Sequence, residues 1–146
     1  AVARVFPGRS PRALSPLLAL LVVALLFPAC KASISDKSIK RIDVATAARA
    51  ADSKAAFVDV RPADEFAQGH IPGALNIRLA DIPENGMVPT LRSKSRIIVY
   101  GQNPGSSVAM AFVKQLLSSG HYERVEWFEG GFDAWRAAGG TIQRGN

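Results

Sequence analysis

The chain contains very little cysteine and histidine. Among its 146 residues there is one cysteine, Cys30, and there are two histidines, His70 and His121. No residue after Cys30 carries a thiol, which excludes a disulfide, a metal thiolate and thiol catalysis from that part of the chain. Nothing frames the two histidines at the spacing of metal ligands, so we expect no metal site and no cofactor.

The first thirty residues contain no acid. They carry Arg4, Arg9 and Arg12, which supply +3 of the formal net charge of +6. The remaining charges are scattered, whereas a nucleic-acid-binding face needs a dense basic stripe with aromatic stacking residues. We therefore expect no nucleic-acid partner. Apolar residues make up 48% and charged residues 21% of the chain, a globular composition without repeats or low-complexity runs.

An apolar run from Leu17 to Phe27 follows the arginines. It is too short to cross a bilayer comfortably, and a basic start followed by a short apolar core is typical of a secretory signal. The run ends in Pro28-Ala29-Cys30, which resembles the lipobox of bacterial lipoproteins, although Phe27 and Pro28 depart from its usual residues.

We therefore expect a signal sequence over 1–30 that is lipidated at Cys30, and a polar tether over 31–38. The expected location is the bacterial cell envelope, with the protein either held at a membrane by the N-terminal anchor or secreted into the periplasm. More than one acyl chain is needed for stable anchoring. The alternatives are an ordinary signal peptide with an incidental cysteine, an uncleaved anchor, and a cytosolic protein.

Short apolar runs alternate with helical patterns from Ile39 onwards, which predicts a parallel sheet covered by helices over 39–140, followed by a C-terminal tail over 141–146. The stretch 80–92 contains Pro83, Gly86 and Pro89 and is expected to be mostly irregular. The predicted strands are 39–42, 56–60, 96–100 and 125–128, and a turn at 71–73 leads into 74–77. The predicted helices are 43–50, 62–68, 107–117 and 132–138.

Three segments together resemble a rhodanese-like domain over about residues 38–140. They are the run from Val58 to Ala74, which includes Val58-Asp59-Val60-Arg61 and Gly69-His70-Ile71-Pro72-Gly73, the strand–loop–helix at 96–117, and the stretch from Gly120 to Trp135. The resemblance implies a three-layer α/β sandwich with a mainly parallel central sheet of about five strands flanked by helices.

The same resemblance implies a nucleophilic cysteine at the start of the loop after the fourth strand and an arginine five residues later. Gly101 and Ser106 stand at these positions. The chain therefore resembles a degenerate family member, and we assign it no catalytic residue. The hydroxyls of Ser106 and Ser107 have no neighbouring base in the loop, so N-capping of the following helix is their expected role.

The loop remains a candidate site for a small anion, because backbone N–H groups that line a curved loop attract negative charge. The missing arginine weakens this site, and Pro104 removes one donor. The candidate residues are Gly101, Gln102, Asn103, Gly105, Ser106 and Ser107.

Six further residues are singled out by the resembling motifs and are expected to be structural. Asp59 and Arg61 leave a strand end, where they could pair or fix the loop that follows. His70 is expected to be a hydrogen-bonded structural histidine, and Trp135 to pack the last helix onto the sheet. The full set is Asp59, Arg61, Glu65, His70, Gly73 and Trp135.

These expectations predict a catalytically inactive rhodanese-like module at the cell envelope that acts by binding a protein or a small anion. One alternative is a sulfurtransferase-related enzyme or sulfur-relay component whose thiol is supplied by a partner. Another is a structural remnant within a larger envelope complex.

Overall fold

A computed structural model describes residues 33–145, which contain a five-stranded parallel sheet in the order β1-β5-β4-β2-β3. The strands are β1 (Lys40–Ile42), β2 (Ala56–Asp59), β3 (Leu75–Asn76), β4 (Ile97–Tyr100) and β5 (Val125–Phe128). The helices are α1 (Val44–Ala51), α2 (Ala63–Gln68), α3 (Ser107–Ser118) and α4 (Gly131–Ala137). The predicted α/β class is confirmed. The predicted signal sequence and the lipidation at Cys30 lie outside the described residues.

Side chains on both faces of the sheet are buried, which explains why the strands read as unbroken apolar runs. Successive residues of a strand point to opposite faces. In β4, Ile97 and Val99 therefore join the core beneath α3, where Phe112 and Leu116 lie. Ile98 and Tyr100 join the opposite core, which packs against the other three helices. That second core includes Ala47, Phe66, Phe132 and Trp135.

The stretch 80–92 is more ordered than its composition predicts. Short 3-10 turns form at Leu79–Asp81 and Pro89–Leu91, and Leu91 is fully buried. The backbone N–H of Val88 donates to the Tyr122 hydroxyl at 2.8 Å. Contacts with the core beneath α3 thus hold a segment that proline and glycine alone mark as irregular.

Both ends of the described segment are attached to the sheet and helices. Asp36, within the predicted tether, forms a 3-10 turn with its neighbours and an ion pair with Lys114. The predicted tail also pairs with the domain, because Gln143 and His70 exchange two backbone hydrogen bonds of 2.9 Å each. No helix within residues 33–145 has the length and apolar character needed to cross a membrane.

Candidate functional site

The loop after β4 lies at the carboxyl edge of the sheet and is fastened to the start of α4. Phe132 N–H donates to the Gly101 carbonyl at 2.9 Å, and Asp133 N–H donates to the Gln102 carbonyl at 2.8 Å. This close approach requires Gly131, which has φ of 65° and whose added Cβ would lie 2.8 Å from the Gly101 oxygen. The two glycine-rich turns therefore position each other.

The side chain of Ser106 fills the interior of the loop next to Gly101. A Cβ added at Gly101 would lie 2.4 Å from Ser106 Oγ and 2.7 Å from Ser106 Cβ. The same hydroxyl accepts a 3.3 Å hydrogen bond from Ala109 N–H at the start of α3, so Ser106 is the predicted N-cap. The loop is thus closed around a short polar side chain.

Other candidate loop residues lie on the surface. Asn103, Gly105 and Ser107 are exposed. The backbone N–H of Gly105 donates to the Glu129 carbonyl at 3.1 Å, which uses that donor within the fold. The structure therefore leaves Gln102 as the candidate loop residue whose side chain reaches a cavity.

Asp59 and Arg61 form a buried, doubly hydrogen-bonded ion pair. Arg61 Nε and Nη2 donate to the Asp59 carboxylate at 3.0 and 2.6 Å, and the two side chains are 0% and 5% exposed. Burial on its own would lower the pKa of Arg61, but the hydrogen bonds and charge of Asp59 outweigh it and raise that pKa above its usual value. Arg61 also donates to the Gly69 carbonyl at 2.7 Å, so it both pairs and fixes the following loop.

Gln102 joins this ion pair to α4. Its Oε1 accepts from Arg61 Nη1 at 2.8 Å, and its Nε2 donates to Asp133 Oδ1 at 2.7 Å. Arg136 donates to the same Asp133 oxygen at 3.2 Å, and the Arg61 guanidinium lies 4.1 Å above the Phe132 ring. Sequence reasoning missed this network. One signal was available: Gln102 is a polar residue two positions after the end of β4, and the neighbouring strand β2 ends just before Arg61.

A pocket of about 440 Å³ opens beside this network at the carboxyl edge. Three arginines contribute to its wall, one of them from the C-terminal segment. Guanidinium groups offer planar, always charged donors that suit carboxylates and oxyanions. Within residues 33–145, no group of three His, Cys, Asp or Glu is placed to hold a metal ion. The polar side chains that line the pocket belong to Arg61, Glu65, Gln68, Gln102, Arg136 and Arg144.

His70 has a structural environment. The residue is 1% exposed. Its ring stacks on that of Phe66 with centroids 3.7 Å apart, and its Nδ1 lies 2.8 Å from the Phe66 carbonyl oxygen. A carbonyl only accepts, so Nδ1 carries the proton in this contact. The neighbouring turn is held by Gly73 N–H, which donates to Gln143 Oε1 at 3.0 Å.

Tyr100 and Trp135 complete the core beneath this turn. The Tyr100 hydroxyl accepts from Ile71 N–H at 3.2 Å, and burial followed by the charge of Asp59 raises the pKa of Tyr100. Trp135, a residue of α4, is buried against the sheet, and its Nε1 donates to the Thr141 carbonyl at 2.8 Å. These two aromatic residues therefore hold the turn and the C-terminal segment against the sheet.

The family model of the rhodanese-like domain matches residues 43–138. The chain belongs to the rhodanese-like domain family. The match runs from the residue after β1 to the end of α4, so it includes four of the five strands, the loop at Gly101 and the Asp59–Arg61 pair.

Several bacterial proteins are similar to the chain. The uncharacterised protein YqhL of Bacillus subtilis is 34% identical over 95 residues, covering 65% of this chain and 69% of that protein. Thiosulfate sulfurtransferase GlpE of Pseudomonas putida is 32% identical over 83 residues, with coverages of 57% and 71%. The HTH-type transcriptional regulator Rv0324 of Mycobacterium tuberculosis is 32% identical over 89 residues, but the chain spans only 38% of that protein's length.

The fold is also found in solved structures. The crystal structure of protein BH2092 from Bacillus halodurans superposes with a TM-score of 0.63, covering 89% of this chain and 87% of that one. Its sequence is 24% identical, so this likeness concerns the fold alone.

Proposed function

We propose that the chain is a rhodanese-like module without sulfurtransferase activity, held at the bacterial cell envelope, that acts by binding a protein or a small anion. The observation that carries this proposal is Gly101 at the position where the family resemblance implies a cysteine. A persulfide relay needs a thiolate to accept the sulfur, and glycine offers no such atom. The only cysteine, Cys30, belongs to the apolar N-terminal segment.

The geometry around Gly101 supports the loss of this chemistry. Ser106 stands where the resemblance implies an arginine, and its side chain occupies the space beside Gly101. Arg61, the one buried arginine among residues 33–145, is neutralised by Asp59. The loop therefore offers no nucleophile and no uncompensated buried cation.

The arginine-lined pocket supports anion binding beside the loop rather than inside it. Arg144 has no carboxylate partner among residues 33–145, whereas Arg136 shares Asp133 with Gln102. A small oxyanion or the carboxylate of a partner protein would meet Arg136, Arg144 and the edge of Gln102. The half-buried Glu65 opposes such binding, which favours weak affinity.

Three measurements test the proposal. Residues 31–146 are assayed for thiosulfate:cyanide sulfurtransfer beside an active GlpE, and we expect no turnover; clear turnover overturns the inactive assignment. Titration with sodium sulfate, followed by amide NMR shifts, should move Gln102 and residues near Arg144. Arg144→Ala should abolish those shifts, while Arg49→Ala on α1 should not.

Mass spectrometry of the mature N-terminus should find an acylated Cys30, and an unmodified one contradicts the anchor.

A sulfur-relay role with a partner's thiol is the second candidate. It is favoured by the similarity to the sulfurtransferase GlpE. Incubation with a persulfide-carrying protein should then accelerate sulfur release to cyanide, and an unchanged rate contradicts it.

Replacing Gly101 by Cys and Ser106 by Arg tests whether the loop can still support the family's chemistry. We expect no gain of activity, because any Cβ at residue 106 still lies 2.7 Å from one at residue 101.

A further inference from the structure

The amino edge of the sheet carries a row of cations. Lys40 opens β1, Arg124 and Arg96 directly precede β5 and β4, and Lys54 lies two residues before β2. These four strands are neighbours in the sheet, spaced by about 4.8 Å from one strand to the next. Each of four adjacent parallel strands thus has a lysine or arginine at its first residue or within the two residues before it.

Three of these cations converge on one carboxylate. Glu126 is 0% exposed and contacts Lys40 at 2.7 Å, Arg96 at 2.6 Å and Arg124 at 3.2 Å. One carboxylate neutralises only one of them, so two positive charges remain in excess. The side chains of Lys40 and Arg124 are 61% and 53% exposed, which presents this excess to solvent.

The neighbouring connections do not cancel this charge. Arg92 and Lys94 lie in the exposed segment before β4 and add two positive charges. Asp52 and Glu123, in the connections that precede β2 and β5, add two negative charges, so the six cations still outnumber these two acids and Glu126. At the carboxyl edge, by contrast, Asp59 pairs with Arg61 and Glu129 pairs with Arg41, so these charges compensate each other. The amino edge therefore keeps an excess of positive charge.

We propose that the amino edge of the sheet is a docking surface for an anionic lipid surface. The chain enters the domain at this edge, and Lys40 lies ten positions after Cys30. A lipid on Cys30 would keep the row within about 35 Å of the bilayer, the extended length of ten residues. Lys and Arg side chains near anionic headgroups are attracted by the surface potential. This inference rests on the proposed envelope location, and it places the Gly101 loop on the edge that faces away from the lipid.

The described residues belong to one compact unit, so the segment 33–146 serves for the test. It is sedimented with phosphatidylcholine vesicles and with vesicles that contain about one third phosphatidylglycerol, a lipid that supplies negative surface charge. We expect binding to the anionic vesicles only, and its loss as salt screens the charges. Equal sedimentation with both vesicles, or with neither, overturns the docking surface.

Matched charge-reversal variants locate the surface. Lys54→Glu with Lys94→Glu changes two exposed amino-edge lysines that pair with no carboxylate among residues 33–145. Arg41→Glu with Arg78→Glu makes the same change in net charge at two partly exposed arginines that pair with Glu129 and Asp81 and lie outside both the cation row and the arginine-lined pocket. The first pair should weaken binding at least about fivefold, and the second should leave it unchanged; equal losses contradict the placement. A negative result here would contradict the lipid-docking surface only. The inactive loop and the acylation of Cys30 are tested separately, by the sulfurtransfer assay and by mass spectrometry.

Discussion

The Ser106 side chain occupies the volume into which a side chain at residue 101 would project. The separation is 2.4 Å between Ser106 Oγ and the Cβ that Gly101 lacks. Glycine at residue 101 therefore has a packing role, because any side chain there would clash with Ser106. This role is separate from the fact that glycine supplies no nucleophile. Its φ lies outside the left-handed region, so an added methyl group meets a steric barrier only.

Gly101→Ala should lower the free energy of unfolding by about 1–3 kcal/mol, because the methyl group overpacks the closed loop. Adding Ser106→Gly should restore most of that loss, since Ser106 supplies both of the atoms that clash. Ser106→Gly alone should cost only about a few tenths of a kcal/mol, as glycine is itself an acceptable N-cap. Urea denaturation of the four proteins gives the coupling energy.

Asn103→Ala is the matched control in the same loop, because Asn103 is exposed. It should change stability by less than about 0.5 kcal/mol. Additive effects of the two substitutions at 101 and 106, within about 0.5 kcal/mol, would mean that the loop opens freely and would contradict the steric coupling.

Arg61→Met should destabilise the fold by about 3–5 kcal/mol, because it leaves the Asp59 carboxylate buried and unpaired. The double variant Asp59→Leu with Arg61→Met should cost less than Arg61→Met alone, since no lone charge remains. Some loss persists because the Gly69 carbonyl and Gln102 lose their donor. Thermal unfolding ranks the three proteins; a double variant less stable than Arg61→Met contradicts the interpretation.

Most of the sheet could be predicted because a parallel sheet buried on both faces leaves a distinctive sequence. The run from Ile97 to Tyr100 is apolar throughout and is followed by turn residues, and β4 occupies those positions. The pairing of Asp59 with Arg61 was also open to prediction, since both leave one strand end. Local patterns were sufficient wherever the partners are near in sequence.

Contacts between distant residues could not be predicted in the same way. Gln102 and Asp133 are 31 positions apart, and Arg96 and Glu126 are 30 apart. Their meeting depends on the strand order, which places β5 between β1 and β4. The pairing of Gln143 with His70 likewise depends on the direction in which the chain leaves α4. No residue pattern near either position predicts that direction.

Deletion of residues 141–146 should lower the free energy of unfolding by about 2–4 kcal/mol, the sum of a few buried hydrogen bonds. It removes both backbone bonds between Gln143 and His70 and the acceptor of Trp135. Gln143→Ala is the control, because it removes only the side-chain bond to Gly73 and should cost about 1 kcal/mol. Equal stability of the truncated and full domains, measured by urea denaturation, would contradict a structural role for this segment.

Glu126→Gln should cost about 1.5–3 kcal/mol at neutral pH, because three cations lose a charged hydrogen-bond acceptor while Lys40 and Arg124 stay largely solvated. Burial raises the pKa of Glu126, but hydrogen bonds from Lys40, Arg96 and Arg124 outweigh it, so the folded pKa lies below its usual value. The unfolded chain therefore binds this proton more readily. The stability that Glu126 provides is present above about pH 5 and is lost as the pH falls through the folded value.

Stability curves of the wild type and Glu126→Gln should accordingly converge in acid. Glu129→Gln is the matched control, since Glu129 is 44% exposed in its pair with Arg41 and should contribute less than about 1 kcal/mol at any pH. Urea denaturation between about pH 3 and pH 7, a window that spans the usual carboxyl titration, measures the three curves. A constant offset between wild type and Glu126→Gln would show that Glu126 titrates alike in the folded and unfolded chains, against the arrangement of three cations around one buried carboxylate.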